Sequence, residues 1–259
     1  MKGRGACKSL FLGGMVLVLS ACGPKKISTI DPILQDSLTA MMERKMEEIV
    51  AHSGQAIIME VQTGEIKAMV GEGKPQSSSL MRTVSLLAAL ESGKVKLSDT
   101  VDTKEGVMMV DDEVLKDHNW HKGGYGVINT TQILMYSSNI GVSRLIDDNY
   151  HKNPEKFVDG LYKLGLATPL NLDIPGAAKK PNIRKPNKDN WSKTALAWMS
   201  IGYETQVPPM NTLAFYNAIA NGGKMGKPRF VKSIMKDGEV IEDIPVEVLN
   251  PAIASPKTI

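Results

Sequence analysis

Two short segments hold the residue types from which nucleophilic catalysis could be built. The first is Ser79-Leu80-Met81-Arg82 and the second is Ser137-Ser138-Asn139. A serine hydroxyl is a weak nucleophile at its ordinary pKa and needs a neighbouring base. Apolar residues follow Leu80 at helical spacing, which predicts a helix in which positions three apart share a face. The side chain three positions after Ser79 would therefore reach the serine oxygen.

Arg82 occupies that position and changes the chemistry available to the first segment. A buried lysine can lose its proton and act as a base, whereas a guanidinium stays protonated in proteins. Arg82 could hydrogen-bond Ser79 or bind a substrate carboxylate, but it should not deprotonate the serine. The structural alternative is that serines 77–79 cap one helix, and that Ser137-Ser138-Asn139 is a second helix start rich in capping residues.

These segments, together with a later part of the chain, resemble the transpeptidase domain of penicillin-binding proteins. That family uses Ser-x-x-Lys, then Ser-x-Asn, then Lys-Thr-Gly on a strand. Residues 198–209, 215–224 and 227–231 are similar to the region before the third motif in class B, division-type members, especially those of Bacteroidetes-like bacteria. The resemblance covers roughly Ile30 to Ile259.

The resemblance implies a fold, a reaction and a set of roles. The fold would be α/β (α+β), of the penicillin-binding transpeptidase or serine β-lactamase type, with helices around an antiparallel sheet. In the family reaction the D-Ala-D-Ala end of a peptidoglycan stem acylates serine and is then transferred to an amine. Ser79 would be the nucleophile, Ser137 the proton relay and Asn139 the holder of the substrate amide. Stem peptides and β-lactams would be ligands, cell-wall or division proteins are candidate partners, and no cofactor is expected.

Three departures from the family pattern leave enzymatic activity open, and one of them is a loop over 70–79 that is shorter than in relatives. The motif lysine is Arg82, and no Lys-Thr-Gly occurs before Ile259. The segment 257–259 begins Lys-Thr but lacks the glycine and comes too early. Three interpretations follow: a transpeptidase-like protein with weak or no catalysis, a non-catalytic stem-peptide-binding or scaffold protein, and a truncated gene product. In each of them we expect an incomplete sheet.

The N-terminus resembles an export signal that ends in a bacterial lipobox. Basic residues precede a short apolar run over 10–19, which is too short to span a bilayer. The run ends in Leu-Ser-Ala before Cys22, whose thiol would carry the lipid. The alternative is an ordinary secretory signal with a chance cysteine.

These features predict three parts of the chain and a location. We expect a lipoprotein signal peptide over 1–21, a lipidated polar tether over 22–29, and a transpeptidase-like domain over 30–259 that lacks its Lys-Thr-Gly part. The lipid would anchor the protein to a membrane on the periplasmic side of the cell envelope.

Charge and metal-ligand patterns exclude other classes of function. The chain has 31 Lys and Arg against 28 Asp and Glu, and three of the basic residues lie within 1–21. The remainder is therefore balanced, which gives no electrostatic case for nucleic-acid binding. His118 and His121 lie beside Asp117, but no further ligand cluster accompanies them, so we expect a solvated loop and no metal site.

Hydrophobic periodicity predicts the elements that must position these residues. Asp31-Pro32 is typical of a helix start, and the Met-rich stripe that follows is expected to face the core. The predicted helices cover 32–52, 80–92, 130–135, 140–150, 154–164 and 209–221. Two hairpins are expected over 55–70 and 230–244.

Overall fold

The structure is a computed structural model that describes residues 23–71, 79–172, 180–187, 189 and 191–259. Within these ranges the helices are α1 (Pro32–Glu48), α2 (Met81–Glu91), α3 (Thr130–Tyr136), α4 (Asn139–Tyr150), α5 (Pro154–Lys163), α6 (Ala195–Ser200) and α7 (Pro209–Ala220). The strands of the same ranges are β1 (Lys25–Ser28), β2 (Gln55–Met59), β3 (Ile66–Gly71), β4 (Thr100–Asp102), β5 (Val107–Val110), β6 (Glu113–Lys116), β7 (Val127–Asn129), β8 (Asn182–Ile183), β9 (Thr205–Gln206), β10 (Met225–Gly226), β11 (Val231–Lys236), β12 (Glu239–Asp243) and β13 (Val248–Asn250).

The strands form small antiparallel sheets around a helical core. One sheet has the order β1-β11-β12, and the remaining strands pair as β2-β3, β4-β7, β5-β6, β8-β9 and β10-β13. A parallel bridge between Glu65 and Arg229 connects the β2-β3 hairpin to the region before β11. The predicted arrangement of helices with antiparallel strands is therefore present, and its sheets are fragmentary.

Helix α2 lies at the centre of the core because nearly its whole circumference is apolar. Met81, Val84, Leu86, Leu87, Ala88 and Ala89 are all buried. A helix that is hydrophobic on all sides must be covered by neighbours, and α2 packs against α4 and α5. Gly93, with φ of 73°, follows the helix in the left-handed conformation that commonly ends helices.

Helix α4 begins at a turn rather than at a strand end. Asn129 caps α3 by accepting a hydrogen bond from the backbone N–H of Gln132, and α3 ends where Ser137 adopts a left-handed conformation. Ser138 then caps α4 by accepting from Gly141 N. Because only Ser137 and Ser138 separate the two helices, the segment Ser137-Ser138-Asn139 is held between the C-terminal end of α3 and the capped N-terminus of α4.

The expected burial of the Met-rich stripe on α1 is wrong. The helix starts as predicted, since Asp31 accepts hydrogen bonds from the N–H groups of Ile33 and Leu34. None of its residues is buried, however, and Met41 is 57% exposed. The periodicity identified the helix and its apolar face, but among the described elements α1 packs mainly on the narrow strand β3.

Part of the segment expected to be a polar tether is a strand. Lys25–Ser28 pairs antiparallel with β11, and Lys26 lies opposite Ile234. The backbone continues into the fold at Thr29, whose buried hydroxyl donates to the carbonyl oxygen of Ile66 at 2.7 Å. The sequence did not suggest this strand because its side chains are mostly polar and exposed.

No helix in the described residues is long and apolar enough to cross a membrane.

Candidate active site

Arg82 connects the two serine-containing segments. Its Nη1 donates to Ser137 Oγ at 2.8 Å and to the carbonyl oxygen of Ser79 at 3.4 Å. Its Nε donates to Asn139 Oδ1 at 3.1 Å, and Nη2 donates to the same oxygen. The structure therefore brings together the side chains of Arg82, Ser137 and Asn139, and Ser79 joins them through its backbone carbonyl.

Ser79 is exposed in the turn just before α2. The residue at the N-cap position is Leu80, and it makes no side-chain capping bond. The carbonyl oxygen of Leu80 accepts a hydrogen bond from the Tyr216 hydroxyl at 2.9 Å, which ties this turn to α7. Ser79 is thus not the cap of α2, and the capping interpretation of serines 77 and 78 lies outside the described residues.

Ser137 stands in an uncommon backbone conformation. Its φ is 55° and its ψ is 41°, a left-handed geometry that non-glycine residues adopt rarely and that often marks functional sites. The preceding residue, Tyr136, stacks on Tyr125 with ring centroids 4.7 Å apart. The left-handed turn holds the exposed Ser137 hydroxyl where it accepts the Arg82 hydrogen bond.

The side-chain amide of Asn139 is held at both ends. Its Oδ1 accepts from Arg82, and its Nδ2 donates to the carbonyl oxygen of Lys116 at 2.8 Å. An amide oxygen has two lone pairs, and both are directed at the guanidinium through Nε and Nη2. The second N–H of Nδ2 remains the group through which Asn139 could contact a ligand carbonyl.

Asp117 holds the segment Ser137-Ser138-Asn139 in place, a role that was not evident from the sequence. It is 1% exposed, and its carboxylate accepts from Ser138 Oγ at 2.7 Å and from Ile140 N at 3.1 Å. A carboxylate at a helix N-terminus is stabilised by the unpaired N–H groups there. Asp117 thereby positions α4, although the sequence marked it only as a neighbour of two histidines.

Arg82 stays cationic although its surroundings lower its pKa. Burial lowers the pKa of the guanidinium, while the negative charge of Asp117 and the Tyr203 hydroxyl act in the opposite direction. A guanidinium nevertheless remains protonated in proteins. In the part of the chain that the structure describes, no carboxylate lies within 4.0 Å of this cation. Its hydrogen bonds to described residues all go to neutral oxygens, and Asp117 acts on its charge only from beyond ion-pair distance.

This arrangement favours anion binding over proton abstraction. Arg82 has only donors, so it cannot accept the Ser79 proton. Ser137 Oγ accepts from Arg82, which makes that oxygen a poorer base. In contrast, a guanidinium that has no carboxylate in direct contact among the described residues can pair with the carboxylate of a ligand. Four of the five guanidinium N–H groups already donate to Ser137, Ser79 and Asn139, which leaves one N–H of Nη2 for a ligand.

The other residues singled out in the sequence do not join this cluster. Cys22 lies outside the described residues, so its lipidation stays a prediction. Residues 257–259 are not on a strand: the chain turns there, and the N–H groups of Thr258 and Ile259 donate to the carbonyl oxygen of Ser255. His118 contacts the Tyr125 hydroxyl. No group of three potential metal ligands occurs among the described residues.

The family comparison agrees with this geometry. Residues 54–259 match the penicillin-binding protein transpeptidase domain. The chain belongs to this family, as predicted from its motifs.

Two curated relatives and one solved structure illustrate the relationship. The probable peptidoglycan D,D-transpeptidase PbpC of Pseudomonas aeruginosa is 28% identical over 76% of this chain and 37% of its own length. Penicillin-binding protein PbpB of Mycolicibacterium smegmatis is 28% identical over 89% of this chain and 38% of its own length. This chain therefore spans little more than a third of these relatives.

The solved structure confirms the fold class. Penicillin-binding protein 3 of Mycobacterium tuberculosis, in complex with aztreonam, superposes with a TM-score of 0.74 at 23% identity. The match covers 91% of this chain and 56% of that chain. The helices and antiparallel strands predicted from the sequence are thus arranged as in a penicillin-binding transpeptidase domain.

Proposed function

We propose that this protein recognises the carboxylate end of peptidoglycan stem peptides through Arg82, with weak or no acyl transfer at Ser79. The observation that carries the proposal is the guanidinium between Ser137 and Asn139 at the position of the family's lysine base. Peptidoglycan is the polymer named for the related PbpC enzyme. The class of ligand is therefore taken from the family, and the mode of binding from Arg82.

Binding is supported because a ligand carboxylate would form a direct ion pair with a cation on which Asp117 acts only from a distance. Arg82 is half-buried and touches only neutral oxygens among the described residues. A charge-assisted pair in such a site is stronger than a neutral hydrogen bond. The Mycobacterium tuberculosis penicillin-binding protein 3 was solved in complex with the β-lactam aztreonam, and we expect this site to bind β-lactams without rapid acylation.

Weak catalysis is supported by the lack of a base at the nucleophile. In the family pattern a lysine three residues after the serine takes its proton. Here the same position holds a permanent cation, whose field favours the Ser79 alkoxide but which cannot accept its proton. General-base assistance typically contributes about 10²- to 10⁴-fold to the rate. Acylation of Ser79 should be slowed by a factor of that order.

The proposed location is the cell envelope, with a lipid on Cys22. Strand β1 begins three residues after this cysteine, and an extended chain spans at most about 3.5 Å per residue. A lipid at Cys22 would consequently hold the β1-β11-β12 sheet within about 15 Å of the bilayer surface. Replacement of Cys22 by alanine in cells should move the protein from the membrane to the soluble fraction; unchanged membrane retention would contradict the anchor.

The binding proposal is tested by titrating the folded protein with matched peptides. A stem peptide that ends in D-alanyl-D-alanine should bind at least about tenfold more tightly than its C-terminal amide, because only the free acid pairs with Arg82. Arg82→Met should abolish this difference. The matched control is Arg44→Met, which removes an exposed arginine of α1 and should leave the difference intact. Equal binding of acid and amide would refute the proposal.

The catalytic part is tested by intact mass after incubation with a fluorescent penicillin. The wild-type protein should acquire a covalent adduct slowly or not at all. Arg82→Lys restores a side chain that can lose its proton, so it should be acylated faster, and the added Ser79→Ala change should remove that adduct. Rapid Ser79-dependent labelling of the wild-type protein would favour an active transpeptidase with another base.

A further inference from the structure

A second cavity lies along the flank of α4, beside the β5-β6 hairpin and α6. Its volume is about 590 Å³, which is within the range of small-molecule sites. Part of its wall is apolar and comes from Met108, Val110, Ile140 and Ala197. None of the four residues of the Arg82 cluster lines it. It is therefore a different site from the one that Arg82 forms.

The α4 side of this cavity is one continuous helix face. Ile140, Ser143, Arg144, Asp147 and Asp148 recur at the spacing of residues that are neighbours on a helix surface. An ordinary surface helix would place apolar residues on such a face where it meets the core and charged residues where it meets water. Here buried and charged residues share the face, which makes it the wall of a polar cavity.

The cavity is lined by charges of both signs that do not neutralise one another. The charged residues in its wall are Lys104, Asp111, Arg144, Asp147, Asp148 and Lys193. Across the described ranges, none of these six has an ion-pair partner within 4.0 Å. Lys104, Asp111, Asp148 and Lys193 are exposed to water, whereas Arg144 and Asp147 are half-buried. The separation of the opposite charges leaves space for a ligand that carries both charges.

A buried hydroxyl in the same wall also lacks a partner. Ser143 is 0% exposed, and its Oγ makes no hydrogen bond among the described residues. A buried polar atom is usually paired, and an exception requires an explanation such as a ligand or an ordered water. Ser143 is surrounded on its own helix face by Arg144 and Asp147, so it marks the polar floor of the cavity.

We propose that this cavity binds a zwitterionic ligand of the amino-acid or short-peptide class. The carboxylate of the ligand would pair with Arg144 and Lys193, its ammonium with Asp147 and Asp148, and its backbone would reach the Ser143 hydroxyl. The apolar wall would accept small side chains. This inference is independent of the recognition of carboxylates by Arg82, because the two sites share no residue.

The test compares three probes by calorimetric titration: trialanine, N-acetyl-trialanine and trialanine amide. The free peptide carries both charges, and each blocked peptide carries one. Free trialanine should bind at least about tenfold more tightly than either blocked form, because each block removes one set of charge-assisted contacts. Absence of trialanine binding at millimolar concentration, or equal binding of all three probes, would overturn the proposal.

Variants locate the binding and separate it from the Arg82 site. Asp147→Asn and Lys193→Met should each weaken trialanine binding at least about tenfold. Neither change removes a hydrogen bond that holds the described fold, whereas Arg144 also donates to the carbonyl oxygen of Asp102. Arg82→Met should leave trialanine binding unchanged. If Arg82→Met abolishes it while Asp147→Asn does not, the peptide occupies the Arg82 site and the cavity proposal is wrong.

Discussion

The N-terminal end of α4 and its flank differ in how their polar groups are satisfied. At the end, Asp117 accepts from Ser138 and from Ile140 N, and Asn139 is paired at both ends of its amide. Along the flank, the buried Ser143 hydroxyl has no hydrogen-bond partner and the charged groups of the cavity wall form no ion pair with any described residue. The first turn of α4 therefore carries a polar network whose groups are hydrogen-bonded to one another, which we call closed. The side of the same helix carries a network with unpaired groups, which we call open.

The difference distinguishes positioning from recognition. A fully paired buried network is rigid, because moving any member leaves another without its hydrogen bond. That rigidity suits a turn that must hold Ser137 and Asn139 around Arg82. An open network has the opposite property, because a ligand can supply the hydrogen bonds and ion pairs that its groups lack. The following substitutions test whether the two parts of α4 differ in this way.

The largest effect is expected for Asp117→Ala. The change leaves the Ser138 hydroxyl and the Ile140 N–H without acceptors in a buried position, which should lower the free energy of unfolding by about 3 kcal/mol. Urea denaturation measures the loss. Asp112→Ala is the matched control: this aspartate is exposed in the turn after β5, and its removal should cost at most about 0.5 kcal/mol. Similar values for the two variants would mean that the first turn of α4 is not a closed network.

Ser138→Ala should have the next largest effect. Its hydroxyl accepts from Gly141 N at 2.8 Å and donates to Asp117 Oδ2 at 2.7 Å. Loss of a helix cap together with a buried hydrogen bond should cost about 2 kcal/mol in urea denaturation. The exposed Ser37 on α1 provides the same chemical change without these bonds. If Ser37→Ala were as destabilising as Ser138→Ala, the capping role of Ser138 would be excluded.

A serine-to-alanine change on the flank should have the opposite sign. The buried Ser143 hydroxyl has no partner within the described residues, so Ser143→Ala should raise the free energy of unfolding by about 1 kcal/mol in the absence of ligand. Ser85 is the control, because it is equally buried but donates to the carbonyl oxygen of Ser200 at 2.7 Å. Ser85→Ala should cost about 1 kcal/mol. Destabilisation by both changes would show that Ser143 is satisfied.

Local patterns were sufficient to predict the helices that form this scaffold. The apolar run after Leu80 and the glycine at 93 predicted both ends of α2 to within one residue of those in the structure. The Asp31-Pro32 pair predicted the start of α1 correctly. These signals are local, because hydrophobic period and capping chemistry depend on residues a few positions apart.

Features that depend on distant partners were not predictable in the same way. Periodicity shows which face of α1 is apolar but not whether another element covers it, and Lys25–Ser28 is a strand only because β11 is available to pair with it. Asp117 and Asp112 are the same residue type in the sequence, yet the structure buries Asp117 in the site and leaves Asp112 exposed. The contact between Arg82 and Asn139 joins residues 57 positions apart.

The smallest and most specific effect is a pH dependence from Asp147 on the open flank. Burial raises the pKa of this carboxyl, the nearby Asp148 adds to the rise, and His151 opposes it. The native state therefore holds this proton at pH values where the unfolded state has lost it, so the contribution of Asp147 to stability falls as pH rises from about 4 through the raised pKa. Asp147→Asn removes this titration.

The stability of Asp147→Asn relative to wild type should consequently increase over that window and then stay constant. Urea denaturation at intervals from about pH 3 to pH 8 measures the difference. The same Asp147→Asn difference measured in an Asp148→Asn background should have a smaller slope, because Asp148 contributes to the raised pKa of Asp147. If the Asp147→Asn curve were flat, or sloped in the opposite direction, the carboxyl would be charged and paired in the native state. The flank of α4 would then be as closed as its first turn.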